Sequence, residues 1–213
     1  MSYAVKELFA TLQGEGAHTG RAAIFCRFSG CNLWSGREED RARAACSFCD
    51  TDFVGTDGTG GGRFDGAESL AQAITRCWQQ YSSDYDNRYV VFTGGEPLLQ
   101  LDIPLIRAMK TQGFTIAVET NGTIKVPHGI DWICVSPKPG LPLLQTEGSE
   151  LKLVYPQKNL PPSLFEHMNF DHFWLQPKDS PQQTEAIAQA VHYCQVHPQW
   201  RLSLQTHKLI GIP

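Results

Sequence analysis

"YVVFTGGEP" (Tyr89 to Pro97) joins an apolar, β-branched run to a turn of two glycines, a carboxylate and a proline. The apolar run is nearly continuous, which indicates a strand buried on both faces, as in a parallel sheet. In α/β folds the loops that follow the carboxyl ends of such strands form the binding face. This stretch therefore predicts a fold class and the position of a site within it.

Six further stretches have the same buried-strand character and alternate with helical patterns. These strands are predicted at Ala22 to Phe28, Thr115 to Glu119, Trp132 to Ser136, Glu150 to Tyr155, Phe173 to Gln176 and Arg201 to Gln205. Alternation of strands and helices predicts an α/β fold. Since the chain has seven predicted strands and fewer good helices, we expect an incomplete, TIM-like barrel of mostly parallel strands.

Three helices are predicted between the strands. Apolar residues at helical spacing mark one from Leu70 to Tyr81, and a second begins near Ile103 and is stopped by Gly113. In the third, Ser180 is the expected N-cap, followed by Pro181 and Gln183, and the helix runs to about His197. The glycine-rich segment from residue 54 to residue 64 lacks phosphate-loop spacing, so we expect a flexible connection there.

Length and composition restrict the function classes. With 213 residues, 41% of them hydrophobic, residues 1–213 are expected to form a single domain. The net charge of −4 and the lack of a long basic run argue against nucleic-acid binding. The sequence has neither a signal-peptide pattern nor an apolar window of membrane-spanning length, so we expect a cytoplasmic protein without membrane contact. Its seven cysteines fit reduced thiols and a metal or catalytic cluster better than a disulfide framework.

Compact polar or glycine clusters follow one strand after another. They are "SGCN", "TGGEP", "ETNG", "SPK", "QPKD" and "QTHK". Their recurrence predicts a single shared site, which includes a loop with Cys31, Cys46 and Cys49. A closed structural zinc site takes four ligands, whereas a cubane iron–sulfur cluster held by three thiolates leaves one iron open. From these residues alone, zinc, an iron–sulfur cluster and cysteines without a ligand role all stay possible.

The turn "GGEP" after a strand resembles the motif that receives the amino group of S-adenosylmethionine in the radical S-adenosylmethionine superfamily. The cysteine spacing C-x14-C-x2-C departs from that superfamily's usual C-x3-C-x2-C. Together with "TLQGEGAHTG", "ETNGT", "SPK", "QPKD" and "QTHKLIGIP", this widened loop makes nearly the whole chain resemble the 7-carboxy-7-deazaguanine synthase family. The resemblance implies a radical S-adenosylmethionine core with a widened cluster loop at residues 31–49. It also implies a homodimer and an electron donor such as flavodoxin or ferredoxin.

The reaction that the resemblance implies is a ring contraction of 6-carboxy-5,6,7,8-tetrahydropterin to 7-carboxy-7-deazaguanine with loss of ammonia, on the route to queuosine. A radical formed on S-adenosylmethionine would abstract hydrogen from the substrate, so no side chain is expected to be catalytic. Two alternatives remain: a glycyl-radical-activating radical S-adenosylmethionine protein, and a zinc-stabilised binding module without catalysis.

The resemblance also assigns cofactor ligands. It implies that Cys31, Cys46 and Cys49 hold a [4Fe–4S] cluster and that Thr51 is a ligand of Mg²⁺. The residues expected to bind S-adenosylmethionine are Phe48, Cys49, Asp50, Gly95, Glu96, Ser136, Pro137, Lys138, Gln176, Pro177, Lys178 and Asp179.

The pterin edge of the implied substrate carries adjacent N–H donors, the substrate also carries a carboxylate, and two residue types suit these groups. Glu15 can accept the N–H groups, and Arg27 can form a forked pair with the carboxylate. The tail at residues 205–213 is expected to close the site, with Leu209, Ile210 and Ile212 in apolar surroundings and the α-carboxylate of Pro213 on the substrate. The residues expected to bind the substrate are Leu12, Gln13, Gly14, Glu15, Arg27, Thr93, His207 and Pro213.

Overall fold

A nine-stranded sheet organises the chain, which the computed structural model describes from residue 2 to residue 213. The strands are β1 (Ser2–Leu12), β2 (Ala22–Phe28), β3 (Gly62–Asp65), β4 (Tyr89–Gly94), β5 (Thr115–Thr120), β6 (Trp132–Val135), β7 (Glu147–Tyr155), β8 (Asn169–Pro177) and β9 (Trp200–Leu202). Their order is β3-β1-β2-β4-β5-β6-β7-β8-β9, with β1 antiparallel to its two neighbours and every other pair parallel. Within residues 2–213 the two edge strands, β3 and β9, do not pair with each other, so the sheet does not close. The predicted incomplete, mostly parallel barrel is therefore confirmed.

The predicted strands are the parallel ones, β2 and β4 to β9, and the prediction missed both antiparallel strands. The expectation of a flexible connection at residues 54–64 was wrong, because this segment leads into β3 and is tied to β1 by backbone hydrogen bonds. Gly58 N donates to Lys6 O, and Leu8 N donates to Thr59 O. The glycines permit this approach, since a Cβ at Gly58 would lie 2.7 Å from the carbonyl oxygen of Lys6.

Four α-helices accompany the sheet: α1 (Ala67–Gln79), α2 (Ile103–Thr111), α3 (Gln183–Val196) and the short α4 (Thr206–Ile210). The predicted cap of the third helix was wrong. Ser180 O accepts the N–H of Gln183 in a turn, so Pro181 precedes the helix and Gln182 is its N-cap. The first helix ends at Gln79 rather than at Tyr81. No helix within residues 2–213 combines the length and the apolarity needed to cross a membrane.

The two faces of the parallel strands have different roles. On β4, Val90 and Phe92 belong to the core formed with α1 and α2, whereas Val91 points into the concave side of the sheet. Thr93 follows Val91 on the concave side and is paired in register with Arg27 of β2. Side chains of alternate residues thus extend toward the concave side, and the polar ones cluster near the carboxyl ends of the strands.

Candidate active site

A cavity of about 440 Å³ lies at the carboxyl ends of the parallel strands. Strand ends, the cysteine loop and the segment around α4 all contribute to its wall. The polar clusters after the strands had predicted such a shared site. The predicted site residues that line it are Leu12, Gln13, Gly14, Glu15, Arg27, Cys31, Cys46, Phe48, Cys49, Asp50, Thr51, Thr93, Gly95, Ser136, Lys138, Gln176, Pro177, Asp179, His207 and Pro213.

Three predicted site residues lie outside this wall: Glu96, Pro137 and Lys178. Glu96 is fully buried, and its carboxylate accepts hydrogen bonds from Leu98 N at 3.0 Å, Thr120 Oγ1 at 2.7 Å and Asn121 N at 2.8 Å. Burial raises the pKa of Glu96 above its usual value although these donors oppose the shift. Its carboxylate therefore joins the end of β4 to the end of β5.

The turn that contains Gly95 packs directly on the cysteine loop. A Cβ at Gly95 would lie 2.6 Å from the Cβ of Cys31 and 2.7 Å from the carbonyl carbon of Gly30. The backbone N–H of Glu96 donates to Gly30 O at 3.0 Å, so the two loops are hydrogen-bonded at the same place. Only glycine permits this approach.

We expect Gly95→Ala to displace Cys31, because the neighbouring atoms are backbone and Cβ and cannot rotate away. The variant should bind less iron on anaerobic reconstitution and lose most S-adenosylmethionine affinity. Gly113→Ala is the control for a loss of stability alone, because its φ of +76° strains an alanine, while a Cβ there meets nothing within 4 Å and the residue lies outside the cavity wall. Iron content and calorimetric titration measure both effects, and full iron content with unchanged affinity in Gly95→Ala would contradict the expectation.

The three cysteines of the loop form one part of the cavity wall. Leu33 N donates to Cys31 Sγ at 3.4 Å, and a hydrogen bond from Cys46 lowers the pKa of Cys49 to about 6 in spite of burial. Within residues 2–213 no three histidine, cysteine or acidic side chains converge closely enough to hold one metal ion. A cubane cluster binds each thiolate to a different iron, so its ligands stand farther apart than those of a single ion. The three thiols fit such a cluster better than they fit zinc.

A buried lysine in the cavity wall forms ion pairs with two carboxylates. Lys152 forms ion pairs with Glu15 and with Glu119, the latter at 3.1 Å, and the three side chains are 5%, 13% and 20% exposed. Burial lowers the pKa of Lys152, but Glu119 and Glu15 outweigh it and raise that pKa well above its usual value. For the Glu119 carboxyl, burial alone would raise the pKa. Lys152, Gln13 and Arg27 outweigh burial and hold that pKa below its usual value. We call Glu15, Lys152 and Glu119 the charged triad.

Two glutamines orient the carboxylates of the charged triad. Gln13 Nε2 donates to Glu119 Oε1 at 2.9 Å, and Gln176 Nε2 donates to Glu15 Oε1 at 3.0 Å. Glu119 and Lys152 line the cavity but were absent from the predicted site. A sequence signal did exist, because Lys152 interrupts the apolar strand "ELKLVY", and a buried charge needs a partner.

Arg27 lines the cavity and also forms an ion pair within the protein. Its Nε donates to Glu7 Oε1 of the neighbouring strand at 2.6 Å, and the two side chains are 20% and 29% exposed. This pair orients the guanidinium, whose planar set of donors suits a carboxylate.

Polar contacts hold the segment around α4 against the cavity. Thr206 N donates to Gly14 O at 3.0 Å, and Lys208 pairs with Asp50 at 2.7 Å and with Asp179 at 2.5 Å. Thr11 Oγ1 donates to Pro213 O at 2.5 Å.

The expected apolar anchoring of this segment was wrong for two residues. Leu209 is 72% exposed and Ile210 is 57% exposed, while Ile212 is half-buried. The sequence showed that these side chains are apolar, but the position of the segment follows from the polar contacts.

Comparisons with known proteins agree on one family. No family model matches the chain. The "7-carboxy-7-deazaguanine synthase" of Bordetella pertussis is 65% identical over 213 residues, covering 100% of both chains. The protein of the same name from Nitratidesulfovibrio vulgaris is 54% identical over 216 residues, again covering 100% of both. The crystal structure of QueE from Escherichia coli superposes with a TM-score of 0.67 at 26% identity, covering 97% of this chain and 95% of that one.

The resemblance that the motifs carried is therefore confirmed at full length, and with it the identification as an enzyme. Neither a zinc-stabilised binding module nor a glycyl-radical-activating protein accounts for these relatives. The chain belongs to the 7-carboxy-7-deazaguanine synthase family.

Proposed function

We propose that the cavity catalyses the ring contraction of 6-carboxy-5,6,7,8-tetrahydropterin to 7-carboxy-7-deazaguanine, with loss of ammonia. One observation carries the proposal: a single cavity has three cysteine thiols in one part of its wall and a buried, oriented pair of carboxylates in another. The first arrangement suits an iron–sulfur cluster, and the second suits a ligand rich in N–H groups.

In this proposal Cys31, Cys46 and Cys49, which line the cavity, would hold the [4Fe–4S] cluster. When bound, the cluster and S-adenosylmethionine supply the radical that abstracts hydrogen from the substrate. The chain contributes position and exclusion of water. The proposed S-adenosylmethionine contacts are the backbone near Phe48 to Asp50, the turn at Gly95 that Glu96 supports, Ser136 to Lys138, and Gln176 to Asp179.

At the substrate end, Glu15 accepts N–H groups of the pterin, and Gln13 and Thr93 add polar contacts. Arg27 would bind the substrate carboxylate, and Thr51 would be a ligand of Mg²⁺. Leu12, Gly14, His207 and Pro213 complete the proposed substrate contacts.

The structure explains why residue 14 is glycine. A Cβ on it would lie 2.8 Å from Cγ of His207, so the backbone of the "QGEG" turn lies directly against the imidazole. This contact supports a role for both residues in shaping the substrate end of the cavity.

Three parts of the proposal concern the surroundings of the enzyme. An external electron donor such as flavodoxin or ferredoxin is proposed from the family resemblance, since formation of the radical consumes one electron from the cluster. A cytoplasmic location accords with seven free cysteines, which include the three proposed cluster ligands. The homodimer is proposed from the family resemblance alone.

Anaerobic reconstitution tests the proposed function directly. The reconstituted protein should be brown, and with S-adenosylmethionine, Mg²⁺, a strong reductant and the tetrahydropterin it should form 7-carboxy-7-deazaguanine, detected by mass spectrometry. Omitting S-adenosylmethionine is the control and should abolish product. A colourless zinc protein, or a brown protein without product, would refute the proposal.

We expect Glu15→Gln to weaken substrate binding while S-adenosylmethionine binding changes little. Loss of a charge-assisted hydrogen bond costs about 1.5–3 kcal/mol, which corresponds to roughly 10- to 150-fold in affinity. Calorimetric titration of the reconstituted variant with each ligand measures both quantities. A parallel fall in both affinities would mean that Glu15 supports the fold through Lys152 and Gln176 instead.

A further inference from the structure

The widened cluster loop contains a segment that the proposed function does not explain. Fourteen residues separate Cys31 from Cys46, and within them Glu38–Arg43 form a 3-10 helix without a buried residue. A segment that buries nothing adds little to the hydrophobic core. Its contacts with the rest of the loop must therefore explain its place beside the cavity.

Arg41 makes most of those contacts. Its Nη1 donates to Ser47 O at 3.1 Å and to Cys49 O at 2.9 Å, so one nitrogen bridges both ends of the turn that carries Cys49. Its Nε donates to Glu38 at 2.7 Å, which fixes the plane of the guanidinium. The same group lies over the ring of Trp34, with Cζ 4.2 Å from the centroid.

Trp34 is itself immobilised, which makes the arrangement rigid. It is only 8% exposed, its Nε1 donates to Arg37 O at 3.1 Å, and its ring meets that of Phe53 edge-on at 5.6 Å. Arg41 is thus held on one face by an aromatic ring and at one edge by a carboxylate, and its Nη1 donates to the carbonyls of Ser47 and Cys49.

We propose that Arg41 is a positioning residue of the cluster loop. By holding the carbonyls of Ser47 and Cys49, it sets the turn so that Cys46 and Cys49 present their thiols to the cavity. This inference rests on the proposed function for the identity of the bound group, and Arg41 itself does not line the cavity. Arg41 belongs to the fourteen residues between Cys31 and Cys46.

Three variants distinguish the positioning of the cysteine turn by Arg41 from the effect of its positive charge. Arg41→Gln removes the charge and the bridge, whereas Arg41→Lys keeps the charge but cannot both stack on Trp34 and bridge two carbonyls. Arg43→Gln is the matched control, since Arg43 is exposed on the same 3-10 helix. Iron content, calorimetric affinity for S-adenosylmethionine, the midpoint potential of the cluster and the thermal midpoint of unfolding are measured for each.

We expect Arg41→Gln to bind less iron and to hold S-adenosylmethionine roughly tenfold more weakly, as for the loss of one charge-assisted hydrogen bond. Its midpoint potential should become more negative, because a nearby positive charge favours the reduced cluster. Arg41→Lys should keep the wild-type potential but share the weaker affinity. Arg43→Gln should match the wild type in every measurement.

The results that would contradict the role of Arg41 differ from the result that would contradict the proposed function. Full iron content with unchanged affinity and potential in Arg41→Gln would overturn the inference. An equal loss of affinity in Arg43→Gln would also overturn it, and so would a large fall in the thermal midpoint of Arg41→Gln, since Arg41 would then support the whole fold. A wild-type protein that takes up no cluster would refute the proposed function instead.

Discussion

Replacing Cys31, Cys46 or Cys49 singly by alanine is expected to remove the intact cluster and to abolish product formation. Each thiolate would bind a different iron, so no neighbouring ligand can take its place. The three cysteines line one cavity, whereas the other four cysteines of the chain lie outside its wall. Iron and sulfide analysis together with visible absorption after anaerobic reconstitution measure the effect.

Two other cysteines provide the controls for this prediction. Cys77 and Cys194 are half-buried and lie outside the cavity wall, packed against the hydrophobic core. Burial raises the pKa of both thiols, as is usual for cysteines that only pack. Their alanine variants should keep the cluster and the activity. About four irons with undiminished turnover in Cys31→Ala would show that the cluster assignment is wrong.

The parallel part of the sheet was predictable because strands buried on both faces have continuous apolar sequences. The antiparallel strand β1 was not, since polar residues such as Lys6 and Glu7 interrupt its apolar pattern. These two side chains pair with Asp52, Asp57 and Arg27, which lie on other elements. Contacts between distant segments, rather than local pattern, decide such strands.

The same limit applies to the candidate site. Strand-end motifs indicated which loops meet, because carboxyl ends of parallel strands share one edge of the sheet. The partners of Glu15 could not be inferred, since Lys152 and Gln176 lie 137 and 161 residues away along the chain. Glu15 was expected to accept N–H groups of the substrate, and in the structure it also forms a buried ion pair with Lys152.

Lys152→Met is expected to have the largest effect among the residues that bind no cofactor in our proposal. Methionine keeps the length of the side chain but leaves Glu15 and Glu119 close together without their shared cation. Removing one partner of a buried ion pair typically costs about 3–5 kcal/mol of unfolding free energy. Two neighbouring carboxylates cannot both stay ionised easily, so the pKa of at least one should rise.

The consequence for function is a loss of substrate binding rather than of the cluster. A protonated carboxyl presents a donor where the pterin N–H groups need an acceptor, so substrate affinity should fall at least tenfold. The loss should be greater at low pH, where the carboxyls are protonated more fully. Iron content should stay at the wild-type level, because the charged triad and the cysteines occupy different parts of the cavity wall.

Two further variants test whether the effect of Lys152→Met comes from the unpaired buried carboxylates. Lys110→Met is the matched control, because the ion pair of Lys110 with Asp131 is about 40% exposed and such surface pairs contribute about 0–1 kcal/mol. The double variant Lys152→Met with Glu119→Gln removes the repulsion and should regain much of the lost stability. It should not regain full substrate affinity, since Glu15 would still lack Lys152. Urea unfolding and calorimetric titration at several pH values measure these quantities. If Lys152→Met were as stable as Lys110→Met and bound substrate like the wild type, the charged triad would have no part in recognition.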